Sequence, residues 1–99
     1  MKEEKIYITV NHLDDFNKVC TIRPGDILEM KKDHNNPYDD EAIAAYGKHN
    51  MKCGYVANSV SSVCRGTYSA GRVYDLVEEE FRCFVRFTYE DMLIAEVEG

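Results

Sequence analysis

Tryptophan is absent from the chain, proline occurs only twice, and the four cysteines form neither a CxxC nor a CxxH pair. No apolar run approaches the ~20 residues that a membrane-spanning helix needs. The opening residues, Met1-Lys2-Glu3-Glu4-Lys5, carry no apolar secretory core, so the reading is a cytoplasmic protein without a membrane partner. Cys20, Cys53, Cys64 and Cys83 are then expected as thiols that act as small buried hydrophobes. Their wide spacing, and the scattering of His12, His34 and His49, gives no zinc motif, and no metal or cofactor is expected. Phosphate-cradling glycine loops, GxSxG elbows and HExxH helices are also missing, so the chain reads as a non-enzyme.

Cations are scarce too. Lys and Arg total 12 against 18 Asp and Glu, a net charge of −6, which works against broad phosphate binding. The imbalance is uneven. From Ala42 to Tyr74 there is no acidic residue, and Lys48, Lys52, Arg65 and Arg72 make that stretch +4. Tyr46, Tyr55, Tyr68 and Tyr74 are interleaved with those cations. Cations that track phosphates and rings that stack on bases are what single-strand binding requires. The same pattern also fits a middle region whose charges are balanced by neighbours in space. Elsewhere the carboxylates gather in Asp39-Asp40-Glu41 and Glu78-Glu79-Glu80, which read as solvated runs.

What is present is a series of short β-rich segments separated by turn formers. Residues 4–10 alternate, with Ile6, Ile8 and Val10 set against Lys5, Tyr7 and Thr9. A polar loop over 11–18 and a short strand over 19–22 lead to the turn Arg23-Pro24-Gly25-Asp26. A strand with Ile27, Leu28 and Met30 runs into Lys31-Lys32, which can protect a sheet edge. Residues 33–40 form an ordered polar loop. Residues 41–46 and 51–56 are expected as a hairpin, followed by a helix capped by Asn58 or Ser59. That helix would face Val60, Val63 and Cys64 inward and end at Gly66 or Gly71. Strands are expected over 72–78, 81–88 and 91–98; in the second, Phe81, Cys83, Val85 and Phe87 share one face. Arg82, Phe84 and Arg86 then form an exposed face. The whole is expected to be one mainly β domain spanning 1–99, a small OB-like or SH3-like barrel.

One ordered string carries more information than the rest. Gly25-Asp26 opens a strand that ends in Lys31-Lys32; Asn35-Asn36-Pro37-Tyr38-Asp39, Ala42-Ile43 and Lys52-Cys53-Gly54-Tyr55-Val56 follow. This string resembles the HIRAN family, and the resemblance extends over about residues 5–97, with the stand-alone bacterial type as the nearest form. The resemblance implies a six-stranded OB-like barrel with one or two short helices. It also implies a module that recognises single-stranded DNA at its 3′-hydroxyl end. Its partner would be that DNA end, with a helicase, a nuclease or another repair protein as companion.

By the same resemblance Tyr38 stacks on or flanks a terminal base, and Asp39 accepts a hydrogen bond from the 3′-hydroxyl. Asn36, Lys52, Tyr55, Asn58 and Tyr89 complete the implied nucleic-acid-binding set. A carboxylate repels internal phosphates but accepts a terminal hydroxyl, so it selects ends. The helix start after Asn58 could also receive phosphate on its backbone N–H groups. The chain departs from the family where a basic residue and two aromatics are expected: it has Asn11-His12-Leu13-Asp14-Asp15. A lysine expected near the helix start is Asn58.

The residues also support plainer roles. Pro37 can simply set a turn while Asn36 and Asp39 bond the loop's own backbone, and Tyr55 can be a half-buried strand residue. A protein–protein interaction module that keeps the scaffold without tight DNA binding is the alternative function. A metal-dependent enzyme using Asp39-Asp40-Glu41 is a third.

Overall fold

Six strands carry the apolar alternation and wrap onto themselves. The computed structural model describes residues 5–11, 22–37, 39–59 and 62–98. The strands are β1 (Tyr7–Asn11), β2 (Ile27–Lys32), β3 (Ile43–Tyr46), β4 (Lys52–Val56), β5 (Glu80–Tyr89) and β6 (Met92–Val97). One short helix, α1 (Ala70–Tyr74), lies between β4 and β5 in the chain, and a 3-10 turn, Lys48–Asn50, joins β3 to β4. The sheet closes in the order β1-β4-β3-β2-β5-β6, with every neighbouring pair antiparallel. This is the expected mainly β fold, a small OB-like barrel of six strands. No described helix is long and apolar enough to cross a membrane.

Period-two alternation selects the lining of the barrel. Ile8 and Val10 of β1, Leu28 and Met30 of β2, Ile43 and Ala45 of β3 and Leu93 and Ala95 of β6 are all buried in one core. Cys53 and Cys83 are thiols within that core. Burial, with the Glu98 carboxylate adding to it, pushes the Cys83 thiol up to about 12, so it stays protonated and packs as a hydrophobe. The turn before β2 forms as its residues dictate. Gly25 takes φ +97, Asp26 N–H donates to the Arg23 carbonyl at 3.1 Å, and Asp26 Oδ2 accepts from Arg23 N–H at 3.0 Å.

Three expectations need correction. The first concerns the helix expected to begin at Asn58 or Ser59. Among the described residues that stretch is a turn, with Ser62 and Val63 N–H both donating to the Ser59 carbonyl. Val60 lies outside the described residues, and Val63 and Cys64 are only half-buried. The helix comes ten residues later, where Ser69 is the N-cap and its hydroxyl accepts Arg72 N–H at 3.2 Å. Gly71 therefore sits inside α1, and Gly66 occupies a turn with φ +90. The second correction follows from the first. The strand expected over 72–78 is α1 and the turn after it, because Ala70 and Val73, at i and i+3, are the pair that enters the core.

The third correction is in β5. Phe81, Cys83 and Val85 keep the inward face, but Phe87 is 53% exposed. Val85 pairs with Ala95 and Phe87 with Ile94, so the register shifts at Arg86 and Phe87 turns outward. Thr88 then stands opposite the buried Leu93. The closed sheet also leaves β2 no edge for Lys31-Lys32 to protect, since β3 and β5 flank it. The strand expected over 19–22 falls mostly outside the described residues, as do His12, Cys20 and the loop over 12–18; Ile22 belongs to no strand.

Two features hold the segment after β4 against β1. Thr67 Oγ1 donates to the Cys64 carbonyl at 2.7 Å, which leaves the buried Thr9 hydroxyl to donate to Thr67 at 2.8 Å. Thr9 Oγ1 in turn accepts Cys64 N–H at 3.2 Å, so both buried hydroxyls are satisfied. The second feature is Gly54. A Cβ at this position would fall on the Asn11 carbonyl oxygen and lie 3.3 Å from Val10 Cγ1. Only glycine lets β4 approach β1 this closely and carry Tyr55 opposite Asn11. Gly54→Ala is expected to cost about 1–3 kcal/mol, the usual penalty of overpacking. Urea unfolding checks this, and an unchanged midpoint would show that the two strands can separate without loss.

Candidate functional site

The loop between β2 and β3 is rigidified by its own side chains. Asp33 N–H donates to the Ala42 carbonyl at 2.8 Å and closes the loop at its base. Asp33 Oδ1 accepts Asn35 N–H at 3.2 Å, and Asn36 Oδ1 accepts Asp39 N–H at 3.1 Å. Asp39 Oδ1 accepts Glu41 N–H at 2.9 Å. These are turns in which Asn and Asp side chains take the place of backbone acceptors. The plainer role foreseen for Asn36 and Asp39, bonding the loop's own backbone, is therefore present.

Asp39 also reaches beyond the loop. Its Oδ2 accepts Asn58 Nδ2 at 3.0 Å, and Asn58 Oδ1 accepts Gly71 N–H at 2.8 Å. Asn58 can face both ways because its neighbour Ala57 is pinned: Ala57 N–H donates to Thr9 at 2.7 Å, and the Ala57 carbonyl accepts Ala70 N–H at 2.9 Å. The residue read as a helix cap thus does cap a helix, but from outside it. A side chain at Gly71 would lie 2.8 Å from Glu41 Oε1 and 3.3 Å from Asn58 Oδ1, so glycine keeps this junction closed. The N–H groups of Ala70, Gly71 and Arg72 all have protein acceptors. The backbone phosphate site expected at a helix start is consequently taken up by the protein itself.

Between the loop and the β4–α1 segment lies an open cleft of about 290 Å³. Asn36, Asp39, Tyr55 and Asn58 all line it. Asn11, Ser59 and Ser62 line it as well, and the sequence reading had not named them as binding residues. Asn11 opens the stretch Asn11-His12-Leu13-Asp14-Asp15, where the resemblance expects a basic residue and two aromatics; the serines carry no comparable signal. Tyr38 lies outside the described residues.

Lys52 joins the site through Tyr55. Lys52 Nζ donates to Tyr55 Oη at 2.9 Å, and Tyr55 Oη donates to Asp33 Oδ2 at 3.2 Å. The hydrogen bond to Tyr55 holds the Lys52 ammonium above the usual lysine value; partial burial opposes this, and the nearby Tyr46 and Asp33 favour the charge. Lys52 is therefore a firm cation. The register sets Lys31, Ala44 and Tyr55 in one row across β2, β3 and β4, and Glu29, Tyr46 and Lys52 in the next. Lys31 Nζ stands 4.9 Å from the Tyr46 ring centroid and Lys52 Nζ 5.0 Å from that of Tyr55. The outer face beside the cleft thus carries two cations and two rings, with the Glu29 carboxylate in the row of Tyr46 and Lys52.

The acid-free stretch does not form one stripe. Arg72 lies over the Tyr68 ring and Lys32 over the Tyr74 ring, and neither pair lines the cleft. Tyr89 is 58% exposed at the tip of the β5–β6 hairpin. It does not line the cleft, although the pairings Val10–Leu93 and Tyr89–Met92 put it at the Asn11 end of the barrel. His34 is exposed and pairs with Glu79. Among the described residues no group of three or more His, Cys, Asp or Glu side chains could hold a metal ion.

No protein-family model, curated protein or solved structure matches this chain.

The Tyr55 bond is open to a direct check. In Tyr55→Phe the main influence raising Lys52 is gone, so Lys52 should titrate closer to 10.5 than in the parent chain. Side-chain NMR across the alkaline range measures this, and an unshifted Lys52 would contradict the assigned bond.

Proposed function

We propose that this chain is a HIRAN-like, non-catalytic module that holds the 3′-hydroxyl end of single-stranded DNA in the cleft beside Asp39. The observation that supports it most is convergence: Asn36 and Asp39 of the β2–β3 loop and Tyr55 and Asn58 at the end of β4 and just after it line one open cleft, with Lys52 hydrogen-bonded to Tyr55. Asp39 is positioned before any ligand arrives, since Asn58 and Glu41 N–H each engage one of its oxygens. A carboxylate offers about four lone-pair sites, so capacity remains for a terminal hydroxyl. A strand that continued past this point would bring a phosphate against the carboxylate, which is the basis for choosing ends.

The outer face of β2–β4 supplies the remainder. Lys52 and Lys31 are the candidate phosphate contacts, and Tyr46 and the ring of Tyr55 the candidate stacking surfaces. On this reading Tyr38 adds a ring at the terminal base and Tyr89 one further out. The protein would act in the cytoplasm beside an enzyme that makes or consumes DNA ends, such as a helicase or nuclease. With two phosphate contacts the affinity should fall only gently with salt, with a log–log slope of about −1.4.

Fluorescence anisotropy with short oligonucleotides tests the proposal. At low salt a 3′-hydroxyl strand should bind about tenfold or more tightly than its 3′-phosphate counterpart, the scale of a hydrogen bond to a charged group. Asp39→Ala should abolish the preference, with thermal unfolding recorded to show that the barrel persists. Equal affinity for the two ends, or no binding to either, would refute the proposal.

A further inference from the structure

A second groove, larger than this cleft, has a separate lining. It has a volume of about 640 Å³ and is bordered by Ile6, just before β1, whereas the cleft is bordered by Asn11 at the end of β1. Ile6 and Asn11 are five residue steps apart, or ~17 Å of extended chain. The apolar surface of the groove is provided by Ile6, Leu76, Val77, Phe81 and Val97. Leu76 is 58% exposed, although its backbone is fixed by a hydrogen bond of its N–H to the Val73 carbonyl at 2.8 Å. Four glutamates, Glu29, Glu78, Glu80 and Glu98, stand around that surface. Arg82 is the single cation in the lining, and it is already shared between Glu29 at 4.0 Å and Glu98 at 3.8 Å.

We propose that this groove docks a cationic peptide segment of a partner protein, with one or two large apolar side chains seated on Leu76 and Phe81 and flanking lysines or arginines facing the glutamates. Charge complementarity selects this occupant. Nucleic acid and anionic lipid are repelled by a lining with four carboxylates and one compensated guanidinium. A second copy of this chain, at −6, brings like charge to the contact. The mode of docking is also constrained. The sheet is closed, so a peptide has no strand edge to extend. Recognition has to come from side chains entering the groove, whose volume lies within the range of ligand-binding pockets. The groove and the cleft share no lining residue, and Glu29, opposite Tyr46, marks where the groove meets the outer face of β2–β4.

The test uses the whole chain and a fluorescent lysine-rich peptide that carries two leucines. Two controls accompany it: the same peptide with serine for both leucines, and one with glutamate for its lysines. The leucine–lysine peptide should bind, and both controls should bind about tenfold more weakly or worse, the scale expected from losing one buried leucine. Leu76→Ser and Glu78→Lys should each weaken binding, while Asp39→Ala should leave it unchanged. Glu78 is exposed in the turn before β5, so its reversal spares the barrel and remains informative if Leu76→Ser is unstable. Equal binding of the serine peptide would reduce the effect to bulk charge attraction and overturn the proposal. So would Leu76-dependent self-association in sedimentation, or no peptide binding.

Discussion

The carboxamide of Asn58 joins the loop that carries Asp39 to the start of α1. Its Nδ2 donates to Asp39 in the β2–β3 loop, and its Oδ1 accepts the Gly71 amide in α1. The loop, the start of the helix and the segment leaving β4 are thereby tied at one point. An amide group suits the position because it offers donor and acceptor together, which neither a lysine nor an aspartate does. Asn58 fixes the orientation of Asp39; under the proposed function, where a lysine would have offered a phosphate contact, Lys52 and Lys31 are the candidates left to make it.

The two recesses on the barrel surface differ in chemistry. A closed sheet satisfies its own ladder, so partners meet side chains rather than backbone. At the Asn11 end those side chains are amides, hydroxyls, one oriented carboxylate and tyrosines paired with lysines. At the Ile6 end they are aliphatic and surrounded by glutamates. The net charge of −6, an obstacle to nucleic-acid binding when averaged over the chain, is unevenly distributed in space, with part of the acid gathered at the Ile6 end.

Strands that obey a two-residue period were legible in the sequence. β1, β2 and the β3–β4 hairpin lie within a few residues of where Ile8, Val10, Leu28, Met30, Ile43 and the turn at 47–50 indicate them. The helix was not, because Asn58-Ser59 and Ser69 are both good caps and local sequence does not say which serine precedes the pair that the core accepts. Ala70 and Val73 settle that only once the barrel exists to receive them. The bulge at Arg86 was equally hidden, since a single extra residue leaves the apolar pattern of Phe81 to Phe87 intact while reversing the last side chain. For the site, Asn36, Asp39, Tyr55 and Asn58 were named and are brought together. The pairing of Lys31 with Tyr46 was missed because it depends on the register of β2 against β3, not on neighbours in the chain.

The central claim is that the cleft organised by Asn58 and Asp39 is where a 3′ end enters. Amide NMR of the labelled protein, titrated with a short 3′-hydroxyl oligonucleotide, addresses it most directly. The account predicts the largest shifts at Glu41, Tyr55, Asn58 and Gly71, whose amides or side chains lie in the Asp39 network or on the cleft, with Leu76 to Arg82 unmoved. Shifts concentrated in Leu76 to Arg82, or none at Glu41, Asn58 and Gly71 when the DNA is bound, would contradict it.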